Sequence, residues 1–418
     1  MKKSPATRLS PPFQLSPKTL RILELLCWVT LAVLLIQAFH KAYRVDGYDF
    51  TPRLEAAKAL VAGTNPYSLS TPFPLTYPMF ICVLLIPLAW LPYWLSNFIW
   101  FALSAALFWF SMRALMGFYD SRQTPVRFKA LLILCFFLSL NLVQNNFVNG
   151  QVNIFVLSLC LFSLKYLLEK KPALAGWLLA AAISFKLTPL ILAGFLFFKR
   201  EWAALSWTLG GTALFILGLP YLFAGPASLD FYHGYLFNYV LPSFSAMADS
   251  LSVTFQLKSY LHFLFPFLGA TVLSGVSDFI ALAPLAFIQL RGGPSQPARV
   301  QALVFSAYLA LSLWMSPISE THHLAVLFPA LFILTHHFLW ERKGPLLFRL
   351  IPLAWIYLLG WAGMVSFVFF FLLVGSCYFL LGYLAWVESG VSVKKPGNVS
   401  RRKRILGRLF LDKSGKGR

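Results

Sequence analysis

Asp46 and Asp49 stand three positions apart in Asp46-Gly-Tyr-Asp49-Phe, directly after the first long apolar run of a chain poor in carboxylates. The 418 residues include 14 Asp and Glu against 35 Lys and Arg. An oriented carboxylate here is suited to taking the proton from a hydroxyl while its oxygen attacks a carbon centre. Asp49-Phe-Thr-Pro52 also reads as a helix start, with proline in the first turn, so capping alone would account for Asp49. The residues by themselves do not choose between Asp46 and Asp49. His322-His323 follow Ser316-Pro-Ile-Ser319-Glu320-Thr321. Either imidazole can hydrogen-bond a phosphate or a polyol, or simply fill the first turn of a helix capped by Ser319 or Thr321. A metal site would need third and fourth ligands at suitable spacing, so the expectation is no metal and no cofactor.

Lys186, in Phe185-Lys-Leu-Thr-Pro189, interrupts an apolar hairpin. It either snorkels to the membrane interface or offsets the charge of an anionic group in an enclosed site. Gln151 and Asn153, in Gly150-Gln-Val-Asn153, belong to an ordinary turn or hold hydroxyls with their amides. Asn65, Tyr67 and Tyr77 add polar groups near the aspartates. His336-His337 read as interfacial and inert. The five cysteines lie in apolar runs without CxxC spacing, which makes them packing residues.

The elements that must position these groups are membrane helices. Hydrophobic residues make up 59% of the chain and charged ones 12%, too little polar surface for a soluble protein of this length. The +21 net charge gathers at the ends of apolar runs and in the tail from residue 391, as topology determinants do, which excludes nucleic acid as a partner. With basic loops held inside, the chain reads as all-α, with twelve spans and both termini cytoplasmic. They cover 20–39, 95–112, 130–142, 152–168, 173–185, 187–198, 202–223, 273–290, 302–315, 324–339, 346–361 and 364–386. The proline-rich segment 77–91 is too short to span and is read as a juxtamembrane or re-entrant helix, and 251–267 as spanning or interfacial. A basic loop covers 113–129, a polar turn 144–151, and a second external loop 224–250. One membrane domain, 19–388, lies between a basic N-terminus (1–18) and a basic tail (389–418), its first external loop covering 40–94. On this topology Asp46/Asp49, 145–153, Lys186 and 316–323 all fall on the external side, in one cavity, where polar groups at membrane depth satisfy one another.

Six short motifs then occur in order. Asp49 precedes Ala56-Ala57 and Gly63-Thr-Asn-Pro66-Tyr67; next come Leu75-Thr-Tyr77-Pro78 and Pro87-Leu-Ala-Trp-Leu91-Pro92. Gly150-Gln-Val-Asn153, Lys186-Leu-Thr-Pro189 and Ser316-Pro-Ile-Ser319 with His322-His323 complete the series. Over about 49–327 the chain resembles glycosyltransferase family 87, membrane glycosyltransferases of GT-C type that include polyprenyl-phosphate-mannose-dependent mannosyltransferases. The resemblance implies an external active site that uses a lipid-linked sugar donor. It places the catalytic aspartate before the Ala-rich helix, at Asp49, and favours His322 slightly over His323 beside the donor phosphate. The implied reaction is inverting transfer of a hexose, mannose by analogy, from a polyprenyl-phosphate sugar to an envelope lipid or glycan. Lys186 would stabilise the departing phosphate, Gln151 and Asn153 would orient oxygens, and a groove beside 77–91 would admit the prenyl tail. The chain departs from the family pattern at Arg53, where an aromatic residue is usual, at Met79, at Glu320-Thr321, and at Asp249-Ser-Leu-Ser252. A polyprenyl-lipid or glycolipid transporter would use the same cavity without needing Asp49 as a base.

Overall fold

The computed structural model describes residues 16–42, 49–70, 75–119, 124–242, 254, 256–293, 296–316, 320–342 and 345–392. Asp46, the N-terminal 1–15, the tail beyond 392 and the stretch Asp249–Ser252 lie outside the described residues, as does Ser319. Among the described residues every regular element is helical. Six helices are long and apolar enough to cross a bilayer, or seven if one sharply bent pair counts as a single span. The protein is a polytopic helical membrane protein, the arrangement in which a backbone immersed in hydrocarbon satisfies its own hydrogen bonds.

Helices α1 (Pro17–Ala42), α4 (Tyr93–Tyr119), α14 (Ala270–Gly292) and α18 (Phe367–Ser392) are long rods, and the shorter apolar α17 (Leu346–Ala362) precedes the last of them. The span Trp202–Ala224 combines α10 (Trp202–Ala213) and α11 (Leu219–Ala224) through a π-turn. The span Thr321–Glu341 joins a 3-10 turn, α16 (Phe328–His336) and a second π-turn. At the centre is α15 (Ala298–Trp314), in which every residue from Val300 to Trp314 is buried. A helix that is apolar all round must be enclosed on all sides, and α15 meets that condition.

Helices between these rods are short, and this separates the structure from a simple count of twelve crossings. Helix α8 (Pro172–Phe185) has 14 residues and α9 (Leu192–Phe198) has seven. At 1.5 Å per residue α8 rises only about 21 Å, less than the roughly 30 Å of a hydrocarbon core, and Lys186 follows directly at its end. Helix α3 (Phe80–Ala89), with ten residues, is likewise too short to span. Instead of one straight span over 130–142, α5 (Pro125–Leu138) bends by 83° at Ser139 into α6 (Leu140–Val148). Asn145 and Asn146 are therefore helical, and only 149–152 form the turn before α7 (Asn153–Leu168). Helix α4 runs on to Tyr119, past the expected end of its span at 112, so Arg113 is helical rather than part of a loop. Part of the second external loop folds as α12 (Ala227–Tyr235) plus a π-turn. Among the described residues of 251–267 the regular element is α13 (Leu257–Leu264), with eight residues and a rise of about 12 Å, too short to cross by itself.

At the ends of the rods opposite Asp49, Arg299 forms an ion pair with Glu341, lies 2.9 Å from Glu388 and donates to the Tyr119 hydroxyl at 2.8 Å. This clamp joins α4, α15, α18 and the π-turn after α16. His336-His337 belong to it and are not inert interfacial residues. His336 is buried edge-on to Tyr119, and His337 Nδ1 is 3.0 Å from Glu341.

Helices α8 and α10 touch through glycines, as membrane helices do when backbones must approach. A Cβ on Gly176 would lie 2.5 Å from Trp207 Cβ and 2.6 Å from the Ala204 carbonyl oxygen, and one on Gly211 would lie 2.8 Å from Ala180 Cβ. Gly176→Ala is expected to force these helices apart at a cost of about 1–3 kcal/mol. Gly210→Ala, at a position with open space, is expected to cost nothing. Thermal unfolding of the two variants in detergent measures the difference.

Candidate active site

Helix α2 (Phe50–Val61) begins immediately after Asp49. Asp49 makes no side-chain cap bond, and its backbone (φ −54°, ψ −20°) is helical where an N-cap is normally extended. Its carboxylate turns away from the helix and accepts a hydrogen bond from Gln151 Nε2. Gln151 is buried, and its side-chain oxygen accepts from Arg53 Nη2 at 3.0 Å and from the Tyr77 hydroxyl at 3.2 Å.

Arg53, one turn along α2 from Asp49, is the hub of this half of the site. It is 2% exposed, donates from Nη1 to the Gly150 carbonyl at 2.8 Å and from Nη2 to the Tyr77 hydroxyl at 3.2 Å, and lies over the Tyr77 ring at 4.7 Å. The Gly150 carbonyl also accepts from Trp100 Nε1 at 3.0 Å. Gly150 sits at φ +61°, a left-handed conformation that other residues adopt at a cost, which lets its carbonyl face both donors. Burial pushes the Tyr77 phenol above its ordinary value, with Arg53 opposing, so the hydroxyl stays protonated and able to donate.

The other half comes from α6, α7, the tip after α8 and the 3-10 turn Thr321–Leu327. Asn146 Nδ2 donates to the His322 carbonyl at 2.8 Å and Asn153 Nδ2 to the same oxygen at 3.2 Å. Asn153 Nδ2 also donates to Asn146 Oδ1 at 3.1 Å, and Lys186 Nζ donates to Asn153 Oδ1 at 3.1 Å. Asn145 Nδ2 reaches the Thr321 hydroxyl at 3.1 Å, which ties Thr321 to α6 rather than using it as a cap. His322 Nε2 lies 2.9 Å from Glu320 Oε2 and His323 Nε2 4.0 Å from the same atom. The His322 contact holds the Glu320 carboxyl below the usual carboxylate range.

Lys186, Glu320, His323, Thr76 and Tyr77 open onto a cavity of about 510 Å³. Its other walls are mostly apolar, formed by Leu190, Ile191, Phe198, Val240, Leu282 and Met315. The groove expected beside 77–91 thus takes only Tyr77 and Pro78 from that segment, because α3 packs back onto α2 and the residues following Lys186 form the wall instead.

Asp49, Gln151, Asn153, Lys186, Tyr77, Arg53, Glu320, His322 and His323 therefore meet at one end of the bundle. Asn65 and Tyr67 do not reach the cavity. Asn65 caps the short turn at Pro66–Ser68 by accepting from Tyr67 N at 2.9 Å, and the Tyr67 hydroxyl donates to the Tyr77 carbonyl at 3.1 Å. Three tyrosines escaped the sequence reading. The Tyr232 hydroxyl accepts from Met79 N at 3.0 Å, Tyr235 donates to the Thr76 carbonyl at 3.1 Å, and Tyr235 and Tyr239 line the cavity. Their spacing places them on one helical face, a signal available from sequence. Trp100 had none, because it is one aromatic among many in an apolar run.

The molecule is thus a helical membrane protein that keeps a buried polar cluster at one end of its bundle beside a mostly apolar cavity. The chain belongs to glycosyltransferase family 87, whose sequence profile matches residues 75–317. That stretch contains Tyr77, Gln151, Asn153 and Lys186, while Asp49, Glu320 and the histidine pair lie outside it. The chain is also similar to the polyprenol-phosphate-mannose-dependent alpha-(1-2)-phosphatidylinositol pentamannoside mannosyltransferase of Mycolicibacterium smegmatis. The two are 27% identical over 305 residues, covering 71% of this chain and 69% of that protein.

Proposed function

We propose that this glycosyltransferase transfers a hexose, mannose by analogy with its mycobacterial relative, from a polyprenyl-phosphate donor to a hydroxyl of an envelope lipid or glycan. The observation that carries this reading is the direction of one side chain. Asp49 leaves the helix start it could cap and is fixed by Gln151, itself held by Arg53 and Tyr77. The reaction is a single inverting displacement. The acceptor hydroxyl gives its proton to the Asp49 carboxylate while its oxygen bonds the anomeric carbon. On the opposite face the bond from that carbon to the phosphate oxygen breaks, and its electron pair leaves with polyprenyl phosphate. Lys186 compensates the growing charge on that phosphate, with the histidine pair beside it, a fixed electrostatic contribution in the site. Gln151 and Asn153 keep the groups aligned. The apolar walls of the cavity suit a prenyl chain.

Basic residues support an external site. Lys165, Lys170, Lys171, Lys199, Arg200, Arg291, Arg299 and Arg342 all stand at helix ends opposite Asp49, and such ends face the cytoplasm. Both termini on the cytoplasmic side fit this placement.

Purified protein supplied with labelled polyprenyl-phosphate-mannose and an envelope lipid extract is expected to incorporate label, with the anomeric configuration inverted. Movement of intact donor between leaflets without any transfer product would favour a transporter and end this reading. Lys186→Met is expected to lower turnover by about 10²–10³-fold, the usual loss when one charge-stabilising donor is removed. Turnover within a few-fold of wild type would show that the ammonium does not meet the leaving phosphate.

A further inference from the structure

We propose that Glu320, His322 and His323 form a divalent-cation site, a one-carboxylate, two-imidazole set that takes a zinc- or manganese-class ion at the head of the cavity. Spacing in the sequence points to two ligands only; the fold supplies the geometry for three. One ligand atom from each residue lies within 4.8 Å of the others. Around a tetrahedral ion with bonds near 2.1 Å, ligand atoms stand about 3.4 Å apart. The two measured separations from Glu320 Oε2, 2.9 and 4.0 Å, straddle that value. Glu320 is 49% exposed at its side chain. The two imidazole rings are nearly perpendicular, at 88° with centroids 4.5 Å apart, so they present separate nitrogens rather than stacking.

A second observation points the same way. His322 is 8% exposed, and its Nε2 makes no hydrogen bond of acceptable angle even though Glu320 Oε2 is close. A buried imidazole nitrogen set against a carboxylate oxygen off the hydrogen-bond line is the arrangement that a cation between them would satisfy. The His322 backbone is already pinned by Asn146 and Asn153, the outer support that metal-binding histidines generally require. Two nitrogens and one carboxylate oxygen suit zinc, manganese or cobalt better than magnesium or calcium, which prefer oxygen. The carboxylate leaves such an ion with a net single positive charge and an open position toward the cavity that Glu320 and His323 line. An anionic oxygen of the substrate would take that position. This last point rests on the transfer reading above, whereas the binding of the ion does not.

The test uses the full-length protein in detergent, treated with chelator and titrated with Co²⁺ as an optical probe, then with Zn²⁺ as competitor. Wild type is expected to bind one Co²⁺ per chain with the absorption of a low-coordinate nitrogen–oxygen site, and Zn²⁺ is expected to displace it. Glu320→Gln and His323→Gln are each expected to weaken binding by more than about tenfold, a loss that removing even an outer partner can cause. Glu320→Gln alters a half-exposed side chain and leaves the fold intact, which its unfolding temperature verifies. Wild type that takes up no Co²⁺, or variants that bind it as wild type does, overturn the site. Co²⁺ bound as expected in a protein without transfer activity would leave the cation site standing and remove the transfer reading. Full transfer in chelator with no Co²⁺ uptake would do the reverse.

Discussion

Asp49→Asn is expected to lower turnover by about 10²–10⁴-fold, the contribution of a positioned general base, with little change in donor affinity. Asparagine is isosteric and its side-chain oxygen can still accept from Gln151, so the geometry survives and only the proton acceptor is lost. Asparagine also caps helices as well as aspartate does. A purely structural Asp49 would therefore tolerate the change, and the substitution separates base from cap. Asp49→Glu tests the position itself. One added methylene moves the carboxylate by more than 1 Å, a misplacement that costs on the order of 10²-fold. Steady-state transfer from labelled donor, paired with donor binding followed by thermal shift, reads both effects. Turnover of Asp49→Asn within twofold of wild type would remove this residue from the chemistry.

Arg53→Lys is expected to damage both stability and turnover, although it conserves charge. The guanidinium reaches the Gly150 carbonyl, the Gln151 oxygen and the Tyr77 hydroxyl at once, and lies over the Tyr77 ring. An ammonium is a compact point charge that cannot serve a planar fork of acceptors. Each hydrogen bond from a charged donor contributes about 1.5–3 kcal/mol, so losing two of them costs about 3 kcal/mol or more. Arg53→Met is expected to be worse, since it leaves buried acceptors with no charged partner. Turnover falls with stability because Gln151 loses the contact that orients it toward Asp49. Thermal unfolding and transfer measured on the same preparations check this, and an unchanged melting temperature together with wild-type turnover in Arg53→Lys would refute it. In this chain Arg53 ties α2 to the Gly150 turn.

Much of this protein was legible along the chain. Apolar runs bounded by basic residues placed the helices, since a bilayer demands long apolar segments with internally satisfied backbones. Six motifs in order gave the resemblance to the family, and Lys186, Gln151 and Asn153 were visible as polar breaks in apolar sequence. Other features depended on contacts between distant residues. Arg53 meets Gly150 and Gln151 across 97 and 98 positions, and Asn146 meets the His322 carbonyl across 176. No local periodicity encodes such pairings, because they arise only when several helices pack at one end. The bend at Ser139 and the short hairpin around Lys186 likewise depend on neighbours that accept freed backbone groups. Sequence alone therefore determined the membrane class, the helical segments and the residues able to do chemistry, because these follow from composition and spacing. Only the tertiary structure decided that Asp49 faces Gln151 rather than its own helix, that Arg53 anchors the site, and that a carboxylate joins the two histidines, because a side chain's direction is set by what packs against it.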